Sequence, residues 1–191
     1  MVATGVYFAI SGSLPSADTQ QHNDLKDSPV AKAAPDSLTD DQYSYYLESQ
    51  ASTAQPLLER VIADSNELTV RSLAKAMIED RKTKEVSDNG ALPSKTNVQD
   101  LIAKYITQPD LEHYGMLMEK AASANEPALS KIFLEVMKVS NLIDIQMAYK
   151  YMGEYPDGVL VKEANAILEE RYKENTSILE IGKDLGYMSS H

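Results

Sequence analysis

The stretch from Pro127 to Gly186, PALSKIFLEVMKVSNLIDIQMAYKYMGEYPDGVLVKEANAILEERYKENTSILEIGKDLG, decides the fold. Leu129, Ile132, Phe133, Val136, Met137, Ser140, Ile143 and Met147 recur at three- and four-residue steps and keep to one helix face for five turns. Gly153 and then Pro156-Asp157-Gly158 interrupt the pattern with turn chemistry. It resumes with Leu160, Ala164, Ile167, Leu168, Arg171, Asn175, Ile178, Leu179, Gly182 and Leu185, and Gly186 follows as a C-cap. Two helices of about 25 residues joined by a short turn make an antiparallel hairpin about 37 Å long. Ile132, Phe133, Val136, Ile143, Ile167 and Leu168 are its expected buried set, because they share the continuous stripes.

Upstream, the same period recurs in shorter segments. Thr39 and Gln42 in Leu38-Thr39-Asp40-Asp41-Gln42 have capping-box spacing, with two acids in the first turn where the helix dipole favours them. Tyr43, Tyr46, Leu47, Gln50, Ala51 and Ala54 follow, then Leu57, Leu58, Val61 and Ile62 beyond Pro56. That proline either kinks one long helix or opens a second. Ser65 caps a segment striped by Val70, Leu73, Ala74 and Met77, which Asp88-Asn89-Gly90 ends. Thr96 with Gln99 repeats the capping box before Leu101, Ile102 and Tyr105, and Pro109 opens a helix with Leu111, Tyr114, Leu117, Met118 and Ala121. No strand-like alternation competes, so the chain is expected to be an all-α helical bundle with a long C-terminal hairpin. A solenoid would need an internal repeat of about 34 to 40 residues, and the helix lengths are too uneven for one.

The domain is placed at residues 37–187. Before it, Val2 to Ile10 form an apolar run followed by small residues to Ala17, which has the shape of the end of an export signal over residues 1–17, although no Lys or Arg precedes Lys26. Residues 18–36 are polar, small and proline-interrupted, the composition of a flexible tether. Signal remnant and tether together predict a periplasmic or secreted protein. The apolar run falls short of the roughly 20 residues of a transmembrane helix.

Composition narrows the chemistry. The 191 residues hold 18 Lys+Arg against 29 Asp+Glu, a net charge of -11, and no Cys. A chain this acidic is a poor match for nucleic acid, whose binding runs on Lys and Arg neutralising phosphates. Without Cys there is no disulfide framework, thiolate zinc site or Cys nucleophile. A bundle-type di-metal centre would draw on Glu-x-x-His pairs, and the chain has none; Glu112 and His113 are adjacent and point about 100° apart. Glu119, Glu135, Glu163 and Glu170 lie beside the apolar stripes, and most of them are expected to be solvated. There is no G-x-S-x-G and no glycine-rich phosphate loop. No catalytic residue, metal ligand or cofactor is therefore assigned from the sequence.

Tyrosine is the over-used residue, 11 against two Phe and no Trp. Tyr43 and Tyr46 cluster at the first helix, and Tyr149, Tyr151 and Tyr155 where the hairpin turns. These five are the candidate binding residues, since Tyr combines large contact area with a polar hydroxyl. Placed at the edge of a core, the same side chains would serve packing alone.

Two short segments carry family resemblances. Leu73-Ala74-Lys75-Ala76-Met77-Ile78-Glu79-Asp80-Arg81 resembles the FAxxMxxDH segment of a family of exported, ferritin-like helical bundles of unknown function, with Arg81 where that family has His. The resemblance implies a ferritin-like bundle behind a signal and tether; an irregular up-down bundle is the alternative architecture. Leu38-Thr39-Asp40-Asp41-Gln42 resembles the LTxxQ motif of periplasmic stress chaperones that form cradle-shaped helical dimers, and Thr96-Asn97-Val98-Gln99 gives half of a second copy. The functional expectation is a non-catalytic exported bundle that binds a protein partner or forms a homo-oligomer. Its rivals are a metalloprotein or oxidoreductase using carboxylates alone and a periplasmic chaperone-like stress protein.

Overall fold

The computed structural model describes residues 38–82 and 98–188. The expectations for residues 1–36, for Asp88-Asn89-Gly90 and for the Thr96 cap lie outside that range. Six helices run α1 Asp40–Asp64, α2 Leu68–Lys82, α3 Val98–Tyr105, α4 Gln108–Ser123, α5 Ala128–Glu154 and α6 Val161–Asp184, and all belong to one compact unit. The described residues include no strand, so the chain is an all-α helical bundle. None of these helices is long and apolar enough to cross a membrane.

Local chemistry sets the helix ends. Thr39 Oγ1 accepts the Gln42 amide at 3.2 Å and Gln42 Oε1 accepts the Thr39 amide at 3.1 Å, the reciprocal capping box expected from the sequence. Pro56 lies inside a single helix α1, which resolves the choice left open by its position. Ser65 Oγ accepts the Glu67 amide at 3.1 Å just before α2, and Pro109 stands in the first turn of α4. Gly186, at φ 69°, takes the left-handed position that ends α6.

The hairpin of α5 and α6 is the most extensive helix pair, and α5 also packs on α1, α3 and α4. Surrounded in this way, α5 is buried on most of its circumference, from Leu129 to Tyr151. Phe133, Val136, Ile143, Ile167 and Leu168 are buried as expected. Ile132 is only half-buried, because it lies at the rim of the apolar cluster it packs against.

The core has two apolar clusters. One joins Leu58, Val61, Val70, Met77, Leu117, Phe133, Met137 and Ile178; the other joins Leu38, Tyr43, Tyr46, Ile102, Met147, Tyr151, Ala164 and Leu168. Along α5 the first ends near Met137 and the second begins at Ile143; along α6 the order is reversed, Leu168 and then Ile178. The turns between them place Ser140, Asn141 and Asp144 opposite Arg171, Glu174 and Asn175. The hairpin therefore carries a polar layer at its middle.

Candidate functional site

Asp144 is the centre of that layer. Its carboxylate is 3% exposed, accepting Arg171 Nε on Oδ2 at 2.6 Å and the Tyr46 hydroxyl on Oδ1 at 2.5 Å. Arg171 Nη1 then donates to Glu170 Oε1 at 2.8 Å and to Glu174 Oε1 at 3.0 Å, so one guanidinium answers three carboxylates. One turn along α5, the Asn141 Nδ2 amide donates to Asn175 Oδ1 at 3.1 Å. Burial alone would lower the Arg171 pKa, but Asp144 and Glu174 outweigh it and hold the charge in place. Burial, reinforced by Asp144, pushes the Tyr46 hydroxyl well above the usual phenol value, so it remains a donor.

The layer opens toward α2. One carboxylate oxygen from each of Asp80, Glu170 and Glu174 lies within 4.8 Å of the others, graded from exposed Asp80 through half-buried Glu170 to buried Glu174. Arg81 stands beside them; burial and then Arg171 lower its pKa, while Glu174 and Asp144 raise it. Two buried atoms here make no hydrogen bond among the described residues, Arg81 Nη1 and Glu174 Oε2. An arrangement of this kind can hold a cation on its carboxylate side or order water between the orphaned donor and acceptor.

Four of the five candidate tyrosines come together, inside the bundle. Tyr155, Tyr151, Tyr43 and Tyr46 stack in series with ring centroids 6.0, 4.4 and 6.2 Å apart. Tyr43, Tyr46 and Tyr151 are fully buried and Tyr155 is half-buried at the end of the row. The Tyr151 hydroxyl donates to Asp40 Oδ1 and accepts the Leu160 amide at 3.1 Å, tying the start of α1 to the hairpin turn. Burial, then the bond to Asp40, pushes this hydroxyl up to about 12. The stack is thus core packing with polar ends, and it offers little surface to a partner.

Tyr149 stands apart, 53% exposed on the outer side of the hairpin, its hydroxyl 3.3 Å from that of Tyr172, itself 50% exposed. Seven residues back on α5 and seven forward on α6, a spacing of nearly two whole turns that keeps to the same helix face, Leu142 and Leu179 are exposed as well, at 44% and 37%. These four make a two-layer apolar stripe whose layers are about 10 Å apart.

Asp144 and Glu174 were not foreseen as buried acids, and Glu170 is not solvated, its side chain being 15% exposed beside Arg171. A signal did exist. Arg171 falls on the apolar stripe of its own helix, and a cation there needs a buried anion from a neighbour. Comparison with protein-family models, with curated proteins and with solved structures finds no match to the chain.

Proposed function

We propose that the protein works by association rather than catalysis, and that a second copy of the chain covers the outer stripe of the hairpin. The observation that carries this reading is the exposure of Leu142, Tyr149, Tyr172 and Leu179 on two adjacent helices, with the Tyr149 and Tyr172 hydroxyls 3.3 Å apart. A second hairpin laid across such a stripe completes a four-helix arrangement, the geometry in which apolar helix faces bury each other. Tyr adds contact area with little entropy loss at such a centre.

Charge supports self-association at this face. α5 and α6 together hold seven basic and nine acidic residues, a net of -2, so most of the chain's -11 lies elsewhere. Lys138 and Lys173 alternate with Glu135, Glu169 and Glu180 along the two helices, which spares like-charged copies mutual repulsion here. An isologous contact uses the same patch on both copies, so one substitution is felt twice.

Sedimentation equilibrium tests the reading. The wild type is expected to be a dimer, and Tyr149→Lys and Leu142→Glu to be monomers with unchanged helix content, since both residues are exposed. A wild type that stays monomeric at high micromolar concentration overturns the self-association reading, and a dimer that both variants preserve overturns the surface.

A further inference from the structure

We infer that Asp80, Glu170 and Glu174 form a binding site for one hard divalent cation, a site independent of the dimer surface proposed above. One oxygen from each carboxylate lies within 4.8 Å of the other two. Oxygen ligands of Ca2+ stand about 2.3 to 2.6 Å from the ion, so oxygens on opposite sides are about 5 Å apart and neighbouring ones closer. The spacing therefore suits a single ion of the Ca2+ or Mn2+ class held by all three groups. An all-carboxylate donor set, with no imidazole or thiolate, selects for such oxygen-loving ions over zinc or copper.

A second observation points to the same ligand. Glu174 is 7% exposed, and while its Oε1 accepts from Arg171, its Oε2 is buried with no hydrogen bond. A buried carboxylate oxygen without a donor is costly, and a coordinated cation removes that cost. Arg171 fits the role of an outer-shell group, because its Nη1 fixes the orientation of both Glu170 and Glu174. Exposed Asp80 gives the ion and its remaining waters a way in from solvent. The competing arrangement is a water bridging Glu174 Oε2 to the orphaned Nη1 of Arg81, which would need no metal.

Full-length protein freed of metal by chelator and dialysis is titrated with Mn2+, read by loss of the free-ion electron paramagnetic resonance signal, with Ca2+ as competitor. The expected result is one Mn2+ per chain, displaced by Ca2+. Asp80→Asn and Glu170→Gln should each weaken binding by at least about tenfold, while Glu119→Gln, on the exposed side of α4, leaves it unchanged. Asp80 is exposed, so circular dichroism of Asp80→Asn should match the wild type and separate lost ligation from lost fold. Absence of saturable one-per-chain binding in the wild type overturns the inference in favour of the water bridge. Binding that Asp80→Asn and Glu170→Gln both leave intact overturns it equally, by placing the ion elsewhere.

Discussion

Tyr46 and Arg171 meet on one buried carboxylate, the hydroxyl 2.5 Å from Oδ1 of Asp144 and the guanidinium Nε 2.6 Å from Oδ2. Three helices are joined at this point, α1 through Tyr46, α5 through Asp144 and α6 through Arg171. An ion pair at this depth contributes little net stability, because desolvation offsets most of its attraction, but removing one partner leaves the other charged and unmet. Asp144→Ala is therefore expected to cost about 3 to 5 kcal/mol. In the double variant Asp144→Ala/Arg171→Met the cost should fall below the sum of the two single changes, since Arg171→Met alone strands Asp144 along with Glu170 and Glu174, whereas the double variant strands only the latter two. Urea denaturation of the four proteins decides it, and simple additivity would refute the coupling.

Phe133 sits at full burial in the first apolar cluster, between α5 and its neighbours. Phe133→Ala should lose about 3 to 5 kcal/mol through transfer energy plus the cavity left behind. Glu169 and Lys173 are exposed on α6, and their alanine variants should stay within about 0.5 kcal/mol of wild type. The reverse ranking in a denaturation series would mean that the buried faces have been misassigned.

How much of this was legible in the sequence follows from what periodicity records. The stripes of α5 and α6 and the Thr39 capping box are local patterns, so Phe133, Ile143, Ile167 and Leu168 could be placed inside from spacing alone. The kinship of Asp144 with Arg171 is not local: 27 residues separate them, and only the hairpin register brings them level. Arg171 was visible on the stripe, but its partner could not be chosen among 29 acids without that register. The placement of the tyrosines was hidden for a related reason. They cluster in sequence at the first helix and at the hairpin turn, but α1 packs on α5 and turns Tyr43, Tyr46 and Tyr151 inward, leaving Tyr149 on the outer side.

The buried hydroxyls predict alkaline lability. Burial raises Tyr43, Tyr46 and Tyr151 above the ordinary phenol value, Tyr151 to about 12. A phenol in the unfolded chain loses its proton near pH 10, whereas these three keep theirs in the folded state. The folded chain then binds more protons than the unfolded one, so stability is fully present below about pH 10 and falls as pH rises toward 12. Equilibrium denaturation between pH 8 and about 11.5 should show that decline. Tyr151→Phe, with one fewer retained proton, should decline less steeply. A stability that does not change across this range would show that the stack admits water and ionises freely.

Gly158, in the turn between α5 and α6, is where the fold allows no side chain. A Cβ there would run into the Tyr151 hydroxyl and lie 3.1 Å from the Cβ of Tyr155. Tyr151 has little room to withdraw, because its ring stacks on Tyr43 at 4.4 Å and its hydroxyl is held by Asp40 and the Leu160 amide. Gly158→Ala should therefore cost about 1 to 3 kcal/mol, through overpacking and the loss of those two hydrogen bonds. Taking the hydroxyl away first removes the obstacle. In a Tyr151→Phe background the same Gly158→Ala change should cost clearly less than in wild type, and the difference measures the steric coupling. If the glycine substitution is equally costly in both backgrounds, the requirement at position 158 lies in the backbone of the turn and the clash with Tyr151 is not its cause.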